Sequence, residues 1–262
     1  MPMLIILLLI FMLLSYGLTY LLRIYALKNN IIDTPNLRSS HIAPTPRGGG
    51  VAIVASFLIG IAVFYFQGHL TIFVAAGLII SGGLIALVGF WDDHGHIAAR
   101  WRLIAHFSSA TFLLFCLGGF PPLTIFGFLI DLGIVGNVFG LLFLVWMLNL
   151  YNFMDGIDGL VSSQAVTACL GTISIYIISG DRVGLDNYLV LWLLVCAVLG
   201  FLLWNFPPAK IFMGDAGSGF LGLIIGSLVI SAGWLETKFF FCWLILLGLF
   251  IVDATWTLIR RI

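Results

Sequence analysis

Charge is what this sequence has least of. Only 8% of its 262 residues are Asp, Glu, Lys or Arg, where a soluble domain carries about 25%. Eleven basic residues balance eleven acidic ones, so no bulk field favours a polyanion and no nucleic acid is expected as a partner. Cysteine is scarce too. Cys116, Cys169, Cys196 and Cys242 stand singly inside apolar runs, with no CxxC pair. They read as small core residues, which argues against a disulfide framework or a zinc site.

What remains is hydrophobic: 62% of the chain. A membrane span needs about 20 apolar residues, at 1.5 Å of helix rise each. Nine segments qualify: 3–22, 50–66, 70–90, 103–118, 134–150, 160–179, 188–204, 218–234 and 239–257. The expectation is therefore an all-α, polytopic integral membrane protein of about nine transmembrane helices, a single domain over 1–262. The first run lacks a basic leader and a small-residue cleavage site, and its positive charges, Arg23 and Lys28, follow it. That pattern predicts a retained span with the N-terminus outside. Gly118–Gly133 holds Pro121-Pro122 and scattered glycines, and is expected to be a loop or short hairpin on the outer side.

Alternation of nine spans puts Arg23, Lys28, Arg38, Arg47, Arg100, Arg102, Lys210, Arg260 and Arg261 on one side, and only Arg182 and Lys238 on the other. The basic side is cytoplasmic by the positive-inside bias. Asp33, Asp92, Asp93, Asp155, Asp158 and Asp215 fall on that same side, with Asp253 near it. An aspartate at mid-bilayer costs about 2.5–3.5 kcal/mol on insertion scales, so these carboxylates are expected to face water and to have a task.

Four stretches follow one plan. Asn149–Leu160 reads NLYNFMDGIDGL. If helical, its spacing of three puts Asp155 and Asp158 on one face, and Gly156 and Gly159 leave room for a phosphate or metal ion. Paired carboxylates suit Mg²⁺; a polar turn capping a helix is the alternative. Asp92 and Asp93 end the third span, where one could hold a metal while the other orients a nucleophile or takes a proton. His94 and His96 beside them raise a zinc reading, ranked below Mg²⁺ for want of a clear third ligand. Arg100 and Arg102 could balance phosphate charge. Asp33–Gly50 carries Arg38, His41 and Arg47 ahead of Gly48-Gly49-Gly50, a setting for an anionic ligand or for lipid headgroups. Asn205–Gly219 places Lys210 and Gly214-Asp215 just before Ser218 at a span's start.

Asp92-Asp93, NFMDGIDGL and PPAKIFMGDAGS together resemble the polyprenyl-phosphate N-acetylhexosamine-1-phosphate transferases. This superfamily, glycosyltransferase family 4, includes phospho-N-acetylmuramoyl-pentapeptide transferase and O-antigen-initiating enzymes. RSSHIAPTPRGGG and LYNFMDGIDG resemble the O-antigen-initiating branch more. The resemblance implies transfer of N-acetylhexosamine-1-phosphate from a UDP-sugar to undecaprenyl phosphate, with release of UMP. It implies a multi-pass protein among the lipids of the bacterial inner membrane, a cytoplasmic-face site, and Mg²⁺ with Mn²⁺ as the alternative. A homodimer is left open. By the same resemblance Asp215 is the principal metal ligand, with Asp155 and Asp158 in the metal and nucleotide region. Asp92 and Asp93 are the catalytic pair. Asn149 and Asn152 lie near the nucleotide, and Arg47 stands where relatives often carry a basic residue. The remaining substrate-binding candidates are Arg38, His41, Arg102, Lys210, Gly214 and Ser218.

One departure stands out. The family has a histidine-containing loop after the ninth span, then further spans, whereas this sequence reaches Arg260-Arg261-Ile262 there, with histidines only at 41, 69, 94, 96 and 106. A fragment or a shortened, inactive relative is therefore one expectation. A transporter coupling cations or protons to buried aspartates is another, although transporters usually carry such residues mid-membrane on broken helices.

Overall fold

In lipid, backbone N–H and C=O groups have no water partner, so apolar segments of this length must become helices. A computed structural model, which describes residues 2–35, 43–95, 97–181 and 183–260, contains ten. They are α1 (Pro2–Lys28), α2 (Val51–Phe66), α3 (Ile72–His94), α4 (Ala99–Cys116), α5 (Gly133–Met154), α6 (Leu160–Ser179), α7 (Leu185–Asn205), α8 (Asp215–Leu235), α9 (Thr237–Leu246) and α10 (Gly248–Ile259). Arg38 and His41, like His96, Arg182 and Arg261, lie outside the described residues.

Every segment expected to span is helical, and among the described residues the helices differ in length and apolarity. Six helices (α1, α3, α5, α6, α7 and α8) are long and apolar enough to cross a membrane. α2 is shorter, at 16 residues, and α4 opens on Arg100 and Arg102 and is less apolar. The ninth expected span is broken: α9 and α10 meet at 61°, with Leu247 between them. The Gly118–Gly133 stretch forms the expected hairpin, β3 (Leu123–Ile125) pairing antiparallel with β4 (Phe128–Ile130). Ahead of α2, β1 (Ile32–Asp33) pairs with β2 (Thr45–Pro46) and closes the first loop.

α8 is the axis of the bundle. Most of its apolar window, 78%, is buried inside the protein, against 17% for the peripheral α1. Lipid tails are as apolar as leucine, so helices in a membrane associate by close packing at small residues. Gly222 supplies one such site: a Cβ there would stand 2.3 Å from the Met147 carbonyl oxygen, so α5 and α8 touch backbone to backbone. On another side Phe220 of α8 fills the space left by Gly82 of α3. The alternating helix directions bring the ends of α3, α5 and α7 and the starts of α2, α6 and α8 to one end of the bundle. The backbone ties them there: Gly49 and Gly50 N–H donate to the Phe212 and Met213 carbonyls at 2.9 and 2.8 Å, and Phe212 N–H to Pro46 at 2.8 Å.

Candidate functional site

The start of α8 presents N–H groups that no earlier turn can accept from. Asp93, in the last turn of α3, answers that need. Its carboxylate accepts from the N–H of Asp215 at 3.1 Å and of Ala216 at 3.5 Å. A carboxylate against the positive end of a helix dipole is held favourably. The turn before α8 is shaped for it: Gly214 has φ +78°, and a Cβ there would lie 2.6 Å from Asp93 Oδ2.

Arg47 completes the arrangement from the loop before α2. One nitrogen, Nη2, stands 2.7 Å from Asp93 Oδ1 and 2.7 Å from Asp215 Oδ1. The Asp93 side chain is 1% exposed, Asp215 23% and Arg47 35%. Burial disfavours the charged guanidinium, but Asp93 and Asp215 outweigh that effect and hold its pKa above the ordinary arginine value. Asp155, capping the C-terminal end of α5, belongs to the same group. Burial and the neighbouring Asp215 and Asp93 push its carboxyl well above the usual range, against the pull of Arg47 and the Gly214 N–H. Three carboxylates thus meet beside one guanidinium, with negative charge in excess.

The structure sorts the other expected residues differently from their spacing. α5 ends at Met154, so Asp155 and Asp158 are not on a shared helical face. Asp158 turns away, and its Oδ2 accepts the Ala209 N–H at 2.9 Å, clamping the loop between α7 and α8. This separates it from the Asp93–Asp155–Asp215 group, contrary to the same-face expectation. Asp92 likewise points away from its neighbour. It pairs with Arg102 Nη1 at 2.6 Å and accepts the Ile97 N–H at 2.9 Å, bracing the α3–α4 turn. Asn152 donates to Ser218 Oγ at 3.1 Å, and Ser218 donates to the Gly214 carbonyl at 3.1 Å, linking α5 to the acidic turn. Asn149 donates back to Val145 within its own helix at 2.7 Å. Lys210 lies 5.4 Å over the Trp204 ring.

Two contributors escaped the sequence reading. His106 lines a narrow cleft of about 20 Å³ together with Asp92, Arg102, Asn152 and Asp215. Its only sequence signal is position, four residues after Arg102 on one helical face. Asn205 holds the Gly159 turn, accepting its N–H at 3.0 Å while donating to the Ile211 carbonyl at 3.1 Å. Nothing in its sequence surroundings marks that role.

Oxygen-only donors around excess negative charge suit a hard divalent cation such as Mg²⁺. Asp93, Asp155 and Asp215 fit that chemistry. Their arrangement does not yet form a cage: among the described residues no three His, Cys, Asp or Glu side chains stand ready to hold a metal ion. Arg47 takes the bridging place between two of them.

Comparison with known proteins shows what the chain is similar to. The model of glycosyl transferase family 4 matches residues 75–233, which include every one of these acidic groups. A Bacillus subtilis protein named probable undecaprenyl-phosphate N-acetylglucosaminyl 1-phosphate transferase is 31% identical, over 90% of this chain and 66% of its own length. A Listeria monocytogenes phospho-N-acetylmuramoyl-pentapeptide-transferase is 31% identical over 83% of this chain and 68% of its own. A Mycolicibacterium smegmatis decaprenyl-phosphate N-acetylglucosaminephosphotransferase is 29% identical over 83% and 57%. The chain spans only about three fifths to two thirds of the length of such relatives. With six helices fit to cross a membrane and the acidic motifs of residues 75–233 in one matching model, the chain is a multi-pass membrane protein and belongs to glycosyl transferase family 4.

Proposed function

We propose that this protein transfers N-acetylhexosamine-1-phosphate from a UDP-sugar to undecaprenyl phosphate and releases UMP. The reaction takes place at the cytoplasmic face of a bacterial inner membrane, where it initiates an O-antigen or related lipid-linked glycan. One observation carries the reading: Asp93, Asp155 and Asp215 gather around Arg47 at the amino end of α8, at one end of the bundle. A transporter would need its carboxylates along a path through the middle of the membrane. The names of the relatives support polyprenyl phosphate as acceptor, because those of the B. subtilis and M. smegmatis proteins contain one.

Attack of one phosphate on another brings two anions together, so positioning and charge neutralisation dominate the chemistry. Asp215 with Asp93 and Asp155 would hold Mg²⁺, or Mn²⁺ in its place, which would supply charge neutralisation for the diphosphate and the departing UMP. The chain's own residues do the rest. Arg47 and Arg102 offer guanidinium groups to phosphate oxygens. Asp93 is buried against the start of α8, whereas Asp92 lines the cleft beside Arg102 and Asp215, so Asp92 is the carboxylate of the pair that orients or deprotonates the lipid phosphate. Asn152, through Ser218, keeps the Gly214–Asp215 turn in place.

Membranes containing the protein, given undecaprenyl phosphate and a panel of UDP-N-acetylhexosamines, should release UMP with one of them. Asp215→Asn should abolish that release at saturating Mg²⁺. Turnover within about tenfold of the wild type would show that Asp215 is not a metal ligand.

A further inference from the structure

A single nitrogen bridging two carboxylates is the position a bound cation takes. Arg47 Nη2 lies 2.7 Å from an oxygen of Asp93 and 2.7 Å from an oxygen of Asp215. Charge counting gives the consequence. Asp93 and Asp215 sum to −2 when ionised, and the bridging Arg47 brings this only to −1, so a divalent ion in its place would balance the pair that the guanidinium leaves short. That ion cannot share the bridging place with a guanidinium, because like charges at contact distance repel.

The backbone around Arg47 is fixed. Its own N–H donates to the Ile31 carbonyl at 3.2 Å, Pro46 accepts from Phe212 at 2.8 Å, and Gly49 and Gly50 donate to Phe212 and Met213. The side chain is 35% exposed, whereas the Asp93 carboxylate it holds is 1% exposed. A half-exposed arm on a pinned loop can turn without unfolding anything.

We infer that Arg47 is an exchangeable internal cation: it holds Asp93 and Asp215 together in the metal-free protein, yields that place to the divalent ion, and swings its guanidinium onto the diphosphate of the nucleotide sugar. This rests on the metal-dependent reading proposed above and adds to it an order of events. Metal and nucleotide then help each other bind, because each gives the other's competitor somewhere to go. Arg47 is a positioning residue in the first state and a phosphate ligand in the second.

The test is direct binding of Mn²⁺, followed by electron paramagnetic resonance on the purified full chain, with and without UDP as the probe anion. Arg47→Met removes the competitor; Arg47→Gln removes the charge but keeps a hydrogen-bonding group, and serves if the methionine variant does not purify as a monodisperse species. Without UDP, each variant should bind Mn²⁺ at least about tenfold more tightly than the wild type. UDP should strengthen Mn²⁺ binding less in the variants than in the wild type. Affinity that is equal or weaker in the variants without UDP would overturn the exchange while leaving the metal reading intact. No saturable Mn²⁺ binding to the wild type or either variant would overturn both.

Discussion

Gly214 is the position where one added methyl group should cost most. Its φ of +78° with ψ 171° is a backbone region that side chains rarely enter, and holding alanine there costs about 1–3 kcal/mol. The methyl also has no room, since it would stand 2.6 Å from Asp93 Oδ2 and 3.1 Å from Asp93 Cγ. The carboxylate must shift, and Asp93 then loses the better of its two N–H bonds, the 3.1 Å bond from Asp215. A hydrogen bond to a charged group contributes about 1.5–3 kcal/mol. Together the perturbation is on the order of 2–6 kcal/mol, all of it at the acidic turn. If only about 1.4 kcal/mol of this reaches the reacting geometry, UMP release falls about tenfold. The assay is UMP release from membranes carrying Gly214→Ala, beside thermal melting of the purified protein. Gly17→Ala is the control, because a Cβ at Gly17 meets nothing within 4 Å. That change should leave turnover alone and stabilise α1 by up to about 1 kcal/mol. Wild-type melting together with turnover within about threefold for Gly214→Ala would refute the view that this turn shapes the centre.

The two aspartates of NFMDGIDGL should separate by phenotype. Asp158→Asn should loosen the Ala209 loop and lower the melting temperature while metal affinity stays near that of the wild type, whereas Asp155→Asn should weaken metal binding; Mn²⁺ titration and melting on the same samples distinguish them. A double-mutant cycle on Asp92 and Arg102, with alanine at each, should return a coupling of about 1–3 kcal/mol in unfolding free energy, and a coupling near zero would mean the 2.6 Å pair is not maintained. The raised carboxyl of Asp155 fixes a sign for pH. The folded protein binds that proton more tightly than the unfolded chain, whose carboxyl titrates near about 3.9, so metal-free stability should fall as pH rises through the folded-state titration. Metal binds only the ionised form, so metal affinity should rise over the same range, and excess Mg²⁺ should remove the fall in stability. A metal-free melting curve that rises with pH there would contradict the placement of Asp155.

How much of this was legible beforehand follows from the range over which each signal acts. Apolar length is a local property, and it located all the helices. It does not register the 61° break at Leu247 or the shortness of α2. The acidic stretches were also visible, since carboxylates are costly in a membrane sequence and few are present. Their division of labour was not visible. Adjacent residues on a helix point about 100° apart, so Asp92 and Asp93 had to face different neighbours, but which one faced α8 depended on the packing of α3. For Asp155 and Asp158 the spacing argument assumed a helix, and α5 stops at Met154, before either of them.

The decisive contacts lie farther away in sequence than any motif reaches. Asp93 and the Asp215 N–H are 122 positions apart, and Arg47 and Asp215 are 168 apart. Both depend on backbones meeting where side chains would block them. A Cβ on Gly50 would lie 2.5 Å from Gly217 Cα, and one on Gly89 would lie 2.5 Å from the Ala216 nitrogen. Small residues therefore let the starts of α2 and α8 and the end of α3 close on one another, and the charged groups only complete what that packing allows. It follows that a bulky residue at Gly50 or Gly89 should damage the site as surely as loss of a carboxylate, although neither position carries a functional group.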